Sequence, residues 1–242
     1  MPYDDSTDFE EFIQGVNALT VGYRLVETLY FASTGDFVKA TYPWLRAVKV
    51  DAVGAGGAGA GTAATGGGEM ALGSGGCSGG RSIGWHLATE LGATEAVTVG
   101  EGGVAGTGDG GTGGNSSFGA HVTAYGGPGG LTLAPTTDSP NFVESNNPTA
   151  AGTGNILTFR GNPGGQAHGV AGARVLSGGG APSPLGAGAP RGRKAVLTGL
   201  DGVTAEGYGP GAGGRGACSL GNQAAREGGT GAGGIVIVEL YA

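Results

Sequence analysis

The sequence predicts a mainly β fold threaded by extended, polyglycine-II-like segments, and three observations carry this. Gly occupies 59 of 242 positions, about a quarter against roughly 7% in ordinary proteins. Runs of β-branched residues flank the Gly tracts, as in Val48–Val53 and Ile235–Val238. Within several tracts Gly recurs at every third place: Gly73/Gly76/Gly79, Gly100/Gly103/Gly106, Gly108/Gly111/Gly114 and Gly228/Gly231/Gly234. A period of three matches the left-handed extended helix, which rises about 3.1 Å per residue and has no internal hydrogen bonds. With Gly along one edge, neighbouring helices of this kind approach closely enough to bond backbone to backbone. Collagen is excluded, because the register does not run through the chain and there are only 11 Pro. Disorder fits poorly with a net charge of −7 and strongly apolar runs.

Ordering so many Gly residues is costly, and such a chain has little apolar area to offset it. Part of the stability is therefore expected from backbone hydrogen bonds and from association of subunits.

Along the chain, two parts separate by composition. Residues 1–33 contain only Gly15 and Gly22. Phe9, Phe12, Ile13 and Val16 fall at i, i+3, i+4 and i+7, the spacing of one helical face. Ser6 or Thr7 is placed to cap that helix, with Asp8, Glu10 and Glu11 in its first turn. The stretch Tyr23–Phe31 reads as a strand or a second helix. Residues 1–33 are expected to form an attachment or oligomerisation arm, short and helical. Residues 34–242 are expected to form a glycine-rich β domain with inserted loops.

Within that domain Pro43 and Gly54 bound a half-buried strand over 45–53. Further strands are expected at 96–99, 121–125, 156–159 and 235–240, the last and most apolar filling the core beside 45–53. Longer segments with few Gly interrupt the scaffold at 81–95, 131–149 and 181–206. Loops of such length are uncommon in compact domains unless they bind something. Trp85, Phe142 and Arg191 lie in these three segments. They are the candidate receptor contacts: two planar faces for sugar rings and one cation for an acidic glycan.

Several function classes are disfavoured. The acidic balance argues against nucleic acid, which needs a basic face; the one tight basic cluster, Arg191, Arg193 and Lys194, reads as a solvated loop. No stretch approaches the ~20 apolar residues of a membrane helix. The acidic start, Met1-Pro2-Tyr3-Asp4-Asp5, lacks the basic and apolar regions of a signal peptide. Cys77 and Cys218 stand far apart, without metal spacing, and read as idle thiols of a chain made in a reducing cytoplasm. Gly54-Ala55-Gly56-Gly57-Ala58-Gly59 matches a dinucleotide fingerprint, but residues 60–80 are too rich in small residues and Gly to open the helix that must follow. His86, His121 and His168 have no second ligand nearby in sequence, and no G-x-S-x-G elbow occurs. Neither a catalytic role nor a cofactor or metal is expected.

Phe37-Val38-Lys39-Ala40-Thr41-Tyr42-Pro43-Trp44-Leu45-Arg46-Ala47-Val48-Lys49-Val50, followed by Val53-Gly54-Ala55-Gly56-Gly57, resembles the start of the glycine-rich domain of bacteriophage minor tail and tail fibre proteins. The Tyr-Pro-Trp-Leu-Arg-Ala-Val variant is most similar to minor tail proteins of phages that infect actinobacteria. Two further blocks agree in order: Val97–Gly103 leading to Gly113–Gly119, and Gly231–Glu239. The resemblance covers residues 31–242. It implies a structural role in the virion tail and, often, a trimer. It also implies recognition of the host through variable loops between glycine tracts. A bacterial surface glycan is a partner it implies; the arm over 1–33, which lies outside the resemblance, is expected to bind other phage structural proteins. A capsid decoration or head-fibre protein is the alternative, and a cellular glycine-rich wall protein a more distant one.

Overall fold

A computed structural model describes residues 22–148, 151–195, 199–205 and 208–242. The described chain is mainly β: sixteen strands and one 3₁₀ turn, Lys39–Thr41. The candidate arm residues Phe9, Phe12, Ile13 and Val16 lie outside the described residues.

The glycine tracts form the middle of the molecule. Residues 54–61 are its axis, buried throughout. Their N–H groups leave in three directions by turns. Gly54, Gly57 and Ala60 donate to the carbonyls of Gly80, Cys77 and Ser74. Ala55, Ala58 and Gly61 donate to Gly114, Gly111 and Gly108, and Gly56 and Gly59 to Ala232 and Gly229. The carbonyls of 54–61 accept from three other tracts: from Gly127 and Gly130, from Gly214 and Ala217, and from Gly103. Six tracts thus surround one, three antiparallel to it and three parallel. A β-strand would return to the same neighbour every second residue. Return at every third residue is the geometry of the three-fold extended helix.

The triads legible in the sequence are the bonded edges of this bundle. Gly228, Gly231 and Gly234 donate to Gly106, Gly103 and Gly100. Gly73, Gly76 and Gly79 donate to Ala217, Gly214 and Gly211. The backbones sit so close that a Cβ on Gly56 would overlap the carbonyl of Ala212. Buried backbone groups must be paired, and here pairing itself sets the spacing between tracts.

Each end of the bundle opens into two packed sheets. At the near end one sheet has the order β1-β16-β3-β5-β11: β1 (Leu25–Phe31), β16 (Ile235–Tyr241), β3 (Ala47–Val53), β5 (Arg81–Leu87) and β11 (Leu157–Phe159), all antiparallel. The other has the order β2-β6-β7-β8: β2 (Gly35–Val38), β6 (Thr94–Thr98), β7 (Ser116–Phe118) and β8 (Val122–Ala124). Between them lies an apolar core that includes Phe37, Val50, Val97, Phe118, Val236 and Val238. At the far end β15 (Cys218–Leu220), β4 (Met70–Gly73) and β9 (Thr132–Thr136) make a three-stranded sheet. It packs on a sheet of β10 (Asn141–Val143), β12 (Ala167–Val170), β13 (Arg174–Leu176) and β14 (Arg193–Ala195). Met70, Leu72, Val175 and Leu220 fill the smaller core there. The tracts run between the ends: β3 feeds 54–61, β4 returns through 74–80 into β5, and β8 passes through 125–131 into β9.

Three expectations need correction. Within the stretch 23–31, Leu25–Phe31 form a strand, β1, which pairs with β16. The boundary drawn at residue 33 therefore cuts through the near-end sheet, and residues 25–31 belong to that sheet. Segments 81–95 and 131–149 are not inserted loops, because β5 lies between β3 and β11 while β9 pairs with β4 and β10 with β12. In β5 the alternation of Ser82, Gly84 and His86 with Ile83, Trp85 and Leu87 is the period-two pattern of a strand in a sheet with one packed face. The basic cluster is also no loop throughout, since Arg193 and Lys194 fall in β14.

Candidate functional site

A groove lies on the outer face of the far-end four-stranded sheet. Register builds it. Phe142 pairs with His168, His168 with Leu176, and Val170 with Arg174. Side chains alternate across a strand, so Val143, Ala167 and Val175 pack inward toward Met70 and Leu72 while Phe142, His168, Arg174 and Leu176 share the outer face. Pro140 and Asn141 close one side of a groove of about 610 Å³. Phe142 is 54% exposed, and its ring lies 6.1 Å from that of His168 with 30° between their planes. Asn141 Oδ1 accepts from the N–H of Phe142 at 2.8 Å, which holds the local turn. Arg174 is exposed, and among the described residues it has no carboxylate partner. No acidic side chain lines the groove.

Trp85 sits at the opposite end, on the outer face of the five-stranded sheet. Its indole packs between Tyr23, 5.1 Å away edge-on, and Tyr241, 4.7 Å away. The Arg46 guanidinium lies over the Tyr23 ring at 5.3 Å. Asn155 bonds both the N–H and the carbonyl of Trp85, each at 2.7 Å. This ring is half-buried in an aromatic trio rather than offered as a free platform. Around it Leu25, Tyr30, Leu87, Leu157 and Phe159 are exposed, Tyr30 at 70%. The same face carries the ion pairs Lys49–Glu239 and Arg81–Asp51, of a kind worth about 0–1 kcal/mol when exposed. Tyr241 Oη donates to Glu239 Oε2 at 2.6 Å. That bond, with burial and the carboxylate charge behind it, pushes the phenol pKa up to about 12.

Arg191 is exposed on the flank just before β14, and the groove lining does not include it. The three candidate contacts therefore do not converge: Phe142 and Trp85 occupy different sheets at different ends. The guanidinium that the fold brings to the same groove as Phe142 is that of Arg174. The strands that bring His168 and Arg174 to one face have only four and three residues, too short for a periodic signal in the sequence. A turn signal was present: Ala167–Val170 and Arg174–Leu176 flank Ala171-Gly172-Ala173, and Gly172 takes a φ of +70°, the backbone conformation that hairpin turns assign to Gly.

A second titratable cluster belongs to the near end and not to either outer face. His86 Nδ1 lies 3.4 Å from Glu90 Oε2, His121 Nε2 lies 3.2 Å from Glu95 Oε1, and the two imidazoles are 4.8 Å apart. His86 Nε2 is buried without a hydrogen-bond partner among the described residues. Burial first, and the neighbouring His121 second, lower the His86 pKa from 6.5, against a smaller opposing pull from Glu90 and Glu95. A depressed folded-state pKa favours neutral His86 in the fold, so its contribution is present above pH 6.5 and is lost as pH falls below it. Thermal melting from pH 7.5 down to 5.0 is expected to fall more steeply in the wild type than in His86→Gln. Parallel curves would refute the assignment. Glu239, whose pKa is lowered from 4.5, loses its contribution only at more acidic pH.

Cys77 and Cys218 are buried and form no disulfide. Cys77 Sγ donates to the carbonyl of Asn146 at 2.9 Å, and burial pushes its thiol pKa up, so it is a poor nucleophile. The segment Gly54–Gly59 is the buried axis of the bundle and continues as an extended tract, which leaves no helix N-terminus for a phosphate. Among the described residues no three His, Cys, Asp or Glu side chains gather as a metal site, and no helix is long and apolar enough to cross a membrane. Comparison with models of known protein families finds none that matches this chain, and no curated protein matches its sequence.

Proposed function

We propose that this chain is a structural protein of a bacteriophage tail, a minor tail, tail-tip or fibre subunit, that presents a host-receptor surface. One observation carries the reading: a stiff glycine bundle, bonded in six directions, separates an end with an exposed apolar sheet face from an end with a polar-edged groove. A tract of eight residues at about 3.1 Å each spans roughly 25 Å, so the ends are held well apart. Glycine tracts offer almost no side chains, and chemical specificity is left to the ends. Residue 22 enters the fold at the near end, where Tyr23 rests on Trp85. Residues 1–33 and the near-end face attach the subunit to other virion proteins, and the far end turns toward the cell. The resemblance of residues 31–242 to glycine-rich tail proteins supports the same reading.

The subunit stands in the particle as a trimer. The exposed apolar face at the near end and the small apolar cores support association. Light scattering of the purified chain at micromolar concentration is expected to give three times the subunit mass. A stable, folded monomer would refute the oligomer. For the position in the particle, a short epitope inserted at Gly172, whose surroundings are open, is expected to bring gold-labelled antibody to the tail. The same antibody fragment is expected to block adsorption. Label on the capsid alone would overturn the tail assignment.

A further inference from the structure

We infer that the far-end groove binds a carboxylate-bearing pyranose, a hexuronic-acid residue of a surface polysaccharide. This rests on the proposed reading of the far end as the host-facing one. Phe142 offers a half-exposed ring on which the C–H face of a pyranose can lie, and the His168 ring stacks against it at 6.1 Å. Phe142 stands two strands from Arg174, about 4.8 Å each, and Arg174 lies two residues further along. That offset suits one sugar ring on the aromatic pair with its exocyclic carboxylate reaching the guanidinium. Arg pairs with carboxylate through two parallel N–H···O bonds, which fixes orientation as well as charge. The ring nitrogens of His168 can exchange hydrogen bonds with ring hydroxyls.

Charge complementarity selects the anion. The chain is acidic overall, at −7, yet no carboxylate lines the groove, and Arg174 has no acidic partner among the described residues. A groove of about 610 Å³ is within the usual range of small-ligand sites. An acidic peptide would satisfy Arg174 equally but would leave the Phe142 platform unused.

The test uses the full-length protein and four probes in calorimetry: trigalacturonate, its methyl ester, galactotriose and pentaglutamate. Trigalacturonate is expected to bind at least tenfold more tightly than the methyl ester or the neutral sugar. Arg174→Gln and Phe142→Ala are expected to weaken it at least tenfold each, and Arg174→Lys less. Both positions are exposed, so melting temperatures are expected to stay at the wild-type value. Pentaglutamate binding as tight as trigalacturonate, or insensitivity to Phe142→Ala, overturns the saccharide assignment. Equal binding of the ester overturns the role of Arg174. Adsorption of phage carrying Phe142→Ala separates this inference from the reading beneath it. Lost adsorption with no trigalacturonate binding overturns the ligand class and leaves a receptor site. Binding with unchanged adsorption supports the ligand and overturns the host-facing role.

Discussion

Replacing Gly56 with alanine is expected to cost at least ~3 kcal/mol, enough to prevent folding in a marginal background. Gly56 lies in the axial tract, where its N–H donates to Ala232 and its carbonyl accepts from Gly103. A Cβ there overlaps the carbonyl of Ala212, and the three nearest atoms it meets, in Gly211 and Ala212, are all backbone. Neither tract can step aside alone, because Ala212 accepts from Ala232, which in turn bonds Gly56. The control is Gly106→Ala. A Cβ on Gly106 meets nothing within 4 Å, and its φ is not in the left-handed region. That variant is expected to melt at the wild-type temperature or slightly above, since Ala reduces unfolded-state entropy. For a domain of this size a loss of 3 kcal/mol lowers Tm by roughly 10 °C. Equal melting of the two variants would show that the tracts do not pack as described.

Val50→Asp is the second large effect, expected to destabilise by ~4 kcal/mol or more. Val50 is fully buried between the two near-end sheets and pairs with Val238 on one side and Gly84 on the other. The new carboxylate would have no partner in that core, and an unpaired buried charge is among the few changes that cost so much. Val236→Asp, buried in the same core, is expected to behave alike. Val104→Asp, at a position 74% exposed, is the matched control and is expected to change little. Urea unfolding of the three variants separates these outcomes. A midpoint for Val50→Asp close to that of Val104→Asp would mean that Val50 does not face the core between the two near-end sheets.

Much of the scaffold was legible because its physics is local. A Gly at every third place creates a side-chain-free edge wherever the tract ends up, so Gly228/Gly231/Gly234 and Gly100/Gly103/Gly106 could be named as edges before their pairing was visible. The Val- and Ile-rich runs over 45–53 and 235–240 declared themselves by apolar content and flanking breakers, and β3 and β16 form at those places. β5 carries a period-two pattern of its own, but segment 81–95 stands out in the sequence first as a long stretch with few Gly and so reads as an insertion.

The groove was not legible in the same way. Phe142, His168 and Arg174 are separated by 26 and 6 residues of sequence, and their strands have three or four residues each, too short for a periodic signal. Only the pairing of β10 with β12 and of β12 with β13 puts them on one face.

The sequence by itself determined that the chain builds a glycine bundle with β elements at its margins, because the absence of side chains at a fixed period is a property of each tract alone. Which tract touches which was decided only by the tertiary structure, since glycine edges are chemically alike and carry no address. The apolar strands at the two ends supply that address: they gather into two separate cores, and the antiparallel register of each end sheet then sets where the tracts begin. Trp85 and Phe142 are carried to opposite ends by that arrangement, and Arg174 rather than Arg191 lines the same groove as the exposed phenylalanine.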